Sequence, residues 1–187
     1  MLTQEDNLLF QSYFTFVLLV ELRNHDFQNS EYFENMRFGS PWIQKEISNI
    51  GIDNQGCALI ALYVMLVIPR ELISKKYPNE YSDIGDFLKH NTTHTSTNYP
   101  EDIPNIDYLR HIRNSVTHGR VSFKPKHSII FEDERDGKKN TKYTFRTELP
   151  LIRVGALLQM LQSVHLMYIQ DLQRRNTSPT APAQSPV

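Results

Sequence analysis

Tyr108-Leu-Arg-His-Ile-Arg-Asn-Ser-Val-Thr-His-Gly-Arg120 reads as the last turns of an amphipathic helix that stops on a glycine. Leu109, Ile112 and Val116 form its apolar face, and Gly119 stands where a helix closes in the left-handed conformation that glycine adopts at little cost. Arg110, Asn114 and His118 are spaced by four residues and share one face. Arg113 lies about 140° around the helix from His118, so its long side chain must reach across from the neighbouring ridge. No acidic residue occurs between Asp107 and Glu132, whereas Arg110, Arg113, Arg120, Lys124 and Lys126 fall inside that interval with His111, His118 and His127. A window of this charge suits a phosphate.

Cleaving RNA by attack of its own 2′-oxygen requires a group that takes the 2′ proton, one that protonates the departing 5′-oxygen, and positive charge on the phosphorane. Histidine exchanges protons near neutral pH, and arginine holds two phosphate oxygens at once without losing its charge. Arg113 and His118 are therefore the candidate catalytic pair, with Asn114 as their positioning partner. Arg110, Arg120, Lys124 and Lys126 are the candidate RNA- and phosphate-binding residues. The bland alternative is that Arg113 and Asn114 are solvated, that His118 merely ends a helix, and that Lys124 and Lys126 protect a strand edge.

The string Arg113-Asn-Ser-Val-Thr-His118, at a helix end in a chain with mostly helical patterning, resembles the Arg-Asn-x-x-x-His signature of the HEPN superfamily (higher eukaryotes and prokaryotes nucleotide-binding). The likeness extends loosely to the order of elements between Leu8 and Arg175. It implies a mainly α fold, a HEPN-like bundle of four to five helices. It also implies metal-independent endoribonuclease activity and a homodimer whose two motifs face a shared cleft, with Arg113, Asn114 and His118 at the catalytic positions. The superfamily includes toxins, defence nucleases and members that have lost activity, and many of its bacterial toxins are neutralised by a nucleotidyltransferase-like partner. No nucleotidyltransferase motif occurs in this sequence, so such an antitoxin would be encoded elsewhere.

Around the motif, hydrophobic periodicity predicts helices. Gln4 to Arg23 is apolar around much of its circumference and is expected at the centre. Ser40 and Pro41 open a short helix that Trp42 is expected to pack down, and Asp53 or Asn54 caps a long one that breaks at Pro69. The run His90-Asn-Thr-Thr-His-Thr-Ser-Thr-Asn-Tyr-Pro100 reads as a loop. His127 to Glu132 and Lys142 to Thr147 alternate around Asp136-Gly137, which predicts a β-hairpin inserted at about 122–147. The last helix, Leu149 to about Gln173, presents Leu151, Val154, Leu157, Leu158, Leu161, Val164 and Leu166. One domain over 1–175 is expected, followed by a disordered tail over 176–187 that has no apolar period.

Composition sets the outer limits. With 20 basic and 21 acidic residues the net charge is -1, which excludes a general nucleic-acid coat and leaves only local charge for RNA binding. Cys57 is the only cysteine, sits in an apolar run and reads as a buried, inert thiol. The acidic N-terminus lacks the features of an export signal, and the apolar stretches Leu8 to Val20 and Cys57 to Ile68 fall short of the roughly 18 residues of a membrane span. A cytoplasmic protein is expected, with no cofactor and no membrane contact. Asp86, His90 and His94 would align as metal ligands only if one helix carried all three; the intervening Asn-Thr-Thr argues against it, and no metal site is assigned. Glu21, Arg23, Arg70 and Glu71 are candidate polar neighbours of Arg113, and Tyr108, Tyr143 and Phe145 could stack on bases, although core positions suit these aromatics better.

Overall fold

The computed structural model describes residues 2–69, 73–137 and 140–177. Thr3 opens α1 (Gln4–Asn24) with a capping box, its hydroxyl accepting from the Asp6 N–H and the Asp6 carboxylate accepting from the Thr3 N–H. A 3-10 turn at Phe27–Asn29 and the short α2 (Glu31–Glu34) gather Phe27, Phe33 and Phe38 into a small aromatic cluster. Pro41 occupies the first turn of α3 (Pro41–Ile50), as its fixed φ favours. Asn54 caps α4 (Gln55–Leu62) by accepting from the Cys57 N–H. That helix continues as a π-turn, Tyr63–Val67, in which the Ile68 N–H reaches back to the Tyr63 carbonyl, and Pro69 then ends it.

Pro78 starts α5 (Pro78–Asn91), and β1 (Thr93–Thr97) follows it directly. The motif helix is α6 (Tyr108–Thr117). After it come β2 (Val121–Lys124), β3 (Ser128–Asp136), β4 (Lys142–Pro150) and the long α7 (Leu151–Thr177). The strands form an antiparallel sheet of order β1-β4-β3-β2. The chain is thus mainly helical with a small antiparallel sheet.

Two expectations change here. The polar run after His90 is not a loop: α5 extends to Asn91, and the threonine-rich segment forms an edge strand against β4. β-branched threonines suit a strand, and an edge strand facing water needs no apolar alternation; Thr95 and Thr147 hydroxyls meet across the pair at 2.7 Å. Nor is there a lone hairpin between helices. β3 and β4 do pair around the Asp136-Gly137 turn, but as the middle of a four-stranded sheet flanked by β1 and β2. At Gly137 any side chain would strike the Tyr143 ring, since a Cβ there would lie 2.5 Å from it.

The core joins α1, α4 with its π-turn, α5, α6, α7 and the inner face of the sheet. On α1 only Leu9, Tyr13 and Phe16 among the apolar residues are buried; Leu8 is 55%, Phe14 53% and Leu18 57% exposed, so this helix lies at the periphery and not at the centre. Trp42 is 65% exposed and packs nothing down; α3 is held instead by the Gln44 carboxamide, which donates to the Phe33 and Glu34 carbonyls. On α7 the buried apolar residues are Val154, Leu157, Leu161, Val164, Tyr168, Ile169 and Leu172, a helical stripe that leaves Leu151 and Leu166 outside it. Cys57 is partly exposed, and burial with the nearby Asp53 charge pushes its thiol up, which keeps it protonated. Among the described residues no single helix is long and apolar enough to cross a membrane. The segment 178–187 of the expected tail lies outside the described residues, as do Arg70 and Glu71, while Asn176 and Thr177 fall within α7.

His165 sits wholly inside this core, its Nδ1 2.8 Å from the Leu161 carbonyl oxygen and its ring parallel to Tyr13. Burial holds it below the ordinary histidine range, against the opposing pull of the Leu161 and Val64 carbonyls. The unfolded ring takes up a proton near pH ~6.5 and the folded ring only at lower pH. Below about pH 6.5 the unfolded state therefore binds more protons and stability falls; above it the contribution is intact. Thermal melts between pH 7.5 and 5.5 are expected to show Tm falling for the native chain and a flatter profile for His165→Phe.

Candidate functional site

The motif helix is fixed at both ends by hydrogen bonds within the motif. Asp107 caps its start by accepting from the Arg110 N–H at 3.0 Å. At its end Gly119 adopts φ 65, and the Arg120 and Gly119 N–H groups donate back to the Ser115 and Val116 carbonyls. This is the paired closure of a Schellman turn, which needs a left-handed residue at the glycine position. His118 is the C-cap, its N–H donating to the Asn114 carbonyl at 2.9 Å while its side chain is exposed.

Two turns before it stands a residue whose role no local sequence pattern reveals. His111 is fully buried, with Nδ1 2.7 Å from an Asp133 carboxylate oxygen and Nε2 3.0 Å from Asp102. Arg110 places Nη2 2.9 Å from the same Nε2 and donates to Asp102 at 3.0 Å. The ring stacks on Phe145 with centroids 4.2 Å apart, and Tyr99 closes the other side at 4.6 Å. Burial tends to raise the Asp102 carboxyl, but hydrogen bonds from Thr97 and His111 and the Arg110 charge outweigh it and hold the group below the usual range. The Tyr99 hydroxyl, enclosed and facing Asp133, is pushed up to about 12 by burial first and by that carboxylate second.

The signal for this cluster was a strand one. β3 turns Ile129 and Phe131 inward, so the next inward position is Asp133, a carboxylate aimed at the core that must find a donor. α6 supplies it, because His111 and Ser115 lie on the same buried stripe as Ile112 and Val116.

The expected site residues are distributed as follows. Asn114 turns its Nδ2 to Asp133 at 3.1 Å and so joins the His111 cluster. Arg113 is half-buried on the α5 side, where its charge partly offsets the burial that raises the Tyr81 hydroxyl to about 12. Among the four expected phosphate binders, Arg110 is paired with Asp102, Arg120 with Glu134 at 2.9 Å and Lys124 with Glu148 at 2.7 Å. Hydrogen bonding holds both glutamates below their ordinary range, Glu134 chiefly through Lys142 and Glu148 chiefly through Lys124. Lys126 is exposed with φ 62 in the turn between β2 and β3. The window that is acid-free along the chain is therefore lined in space by carboxylates from the neighbouring strands.

Other candidates separate. Arg23 pairs with Asp53, and Glu21 with His25. Phe145 is buried against His111 and cannot stack on a base, while Tyr108 meets its edge. His90 bonds the Asp86 backbone oxygen within α5, and His94 lies on β1 at φ 51, off that helix face. Among the described residues no group of three His, Cys, Asp or Glu side chains is arranged to hold a metal ion.

Removing one partner of a buried charged cluster leaves the others uncompensated, at a cost of about 3–5 kcal/mol. Denaturant unfolding of Asp133→Ala is expected to show a loss of this size, in contrast to a near-native midpoint for Glu101→Ala, whose partner Arg135 is half exposed.

No curated protein and no solved structure matches the chain. The HEPN pEK499 p136 family model matches residues 4–172, from the first turn of α1 to the last buried turn of α7, with the motif helix and the whole sheet inside the match. The chain belongs to the HEPN pEK499 p136 family.

Proposed function

We propose that this HEPN protein is a metal-independent endoribonuclease acting in the cytoplasm as a homodimer, with a toxin or defence role. HEPN domains serve as nucleases or nucleotide-binding modules, and the observation that favours the nuclease is the state of His118. Its backbone is locked by the helix closure while its imidazole stands in solvent, next to an asparagine already held in place. A side chain presented in this way is available to a substrate.

In the proposed reaction the 2′-oxygen attacks phosphorus, the bond to the 5′-oxygen breaks, and the products are a 2′,3′-cyclic phosphate and a 5′-hydroxyl. His118 moves the proton as acid or base, Arg113 stabilises the phosphorane charge, and Asn114 positions the group. Lys126 and the outer parts of Arg110, Arg120 and Lys124 would meet RNA phosphates along the strand. In a homodimer the second motif would complete the cleft, and a nucleotidyltransferase-like antitoxin would be the partner that silences it.

A second function is favoured by a specific observation: Arg110, Arg120 and Lys124 each already have a carboxylate partner, which weakens the phosphate-binding charge of the window. A catalytically inactive nucleotide-binding or protein-interaction module would show that arrangement.

Incubating the purified chain with total RNA and a chelator separates the two. Cleavage that persists with chelator and falls on the order of 100-fold or more in His118→Ala and Arg113→Ala is the expected result. Intact RNA together with measurable nucleotide binding would assign the chain to the inactive module.

A further inference from the structure

We propose that His111 is a positioning residue of the motif, acting through Asp133 to fix the side-chain amide of Asn114. The catalytic half of this proposal rests on the ribonuclease function above; the geometric half does not.

A single oxygen of Asp133, Oδ2, lies 2.7 Å from His111 Nδ1 and 3.1 Å from Asn114 Nδ2. A carboxylate only accepts, so both neighbours must donate to it: the ring through Nδ1–H and the carboxamide through Nδ2–H. That requirement settles which way the Asn114 amide points, because rotating it would set its oxygen against the Asp133 oxygen. Asp133 can play this part only while it is itself held. It is 4% exposed, and the fully buried His111 ring lies on the oxygen that Asn114 also meets. The ring in turn cannot swing, since Phe145 lies 4.2 Å from it in a parallel stack and Asp102 with Arg110 meets its far nitrogen. Thr97 on β1 and Arg110 on α6 anchor Asp102, so the chain of contacts begins outside the motif helix and ends within it.

The residues are also placed to reach the motif. His111 and Asn114 are three apart on α6, adjacent on its surface, and His118 follows one turn later on the Asn114 side. With 0% exposure His111 cannot touch RNA, which excludes it as an acid or base toward substrate. Its influence must pass through Asp133.

Two readouts test this in the full-length chain. The first is the side-chain 1H–15N signal pair of Asn114, assigned by its disappearance in Asn114→Ser. In the native chain one of its protons should exchange slowly; in His111→Gln that protection should be lost while the backbone amide of His118, bonded to the Asn114 carbonyl, keeps its own. The second is kinetic: His111→Gln is expected to lower kcat by about 10- to 100-fold with KM changed less than about twofold, the pattern of misplaced catalytic groups rather than lost binding. Should His111→Gln fail to fold, Asp133→Asn, of equal size, is expected to give the same loss of protection at Asn114. A folded variant with unaltered Asn114 signals overturns the proposal. Lost protection in a chain that cleaves no RNA sustains the positioning and overturns only the ribonuclease function.

Discussion

An imidazole held between two buried carboxylates governs how this protein is put together. His111 draws Asp133 from the sheet and Asp102 from the segment before α6 onto one point of the motif helix, with Arg110 alongside. Burying two carboxylates is tolerable only where cations and donors surround them, and the cluster provides Arg110, the ring, Thr97 and Asn114. The apolar partners matter as much: Phe145 and Tyr99 cover the ring and exclude water, which strengthens every polar contact inside. Helix and sheet are therefore joined by specific bonds, while Ile112 and Val116 join α6 to the shared apolar core.

The sheet has two different faces, and this bears on RNA. Ile129, Phe131, Phe145 and Leu149 face the core. The opposite face carries linked ion pairs, with Arg146 reaching both Glu132 and Glu148, Lys124 reaching Glu148, and Lys142 and Arg120 reaching Glu134. Charge of both signs is interleaved there, so it offers a nucleic acid no continuous positive track. The exposed His118 at the end of α6 and Lys126 in the turn after β2 stand apart from these linked pairs, at opposite ends of β2.

Much of this was legible beforehand, and the exceptions share a cause. The end of α6 could be read because Gly119 dictates a backbone conformation by itself. Asn54 and Pro69 likewise mark boundaries through local chemistry. β1 escaped detection because Thr93-His-Thr-Ser-Thr97 has no apolar alternation; it becomes a strand only through its pairing with β4. The acid-free interval misled for the same reason in reverse: Glu134 and Glu148 are distant along the chain and reach Arg120 and Lys124 only once β3 and β4 have formed. His111 was visible as a residue but not as the centre of a cluster, since its partners stand 9 and 22 positions away. Local rules announce what a residue does to its own backbone; pairings across a sheet require the fold.

The closure of α6 is made wholly of main-chain groups, from Ser115 and Val116 to Gly119 and Arg120. The imidazole of His118 takes no part in it. Descendants of this protein could therefore exchange that side chain, and with it the role proposed for it, without paying a folding penalty. Enzymes and retired binding modules would then be nearly superimposable, distinguishable by one solvent-facing group and not by architecture.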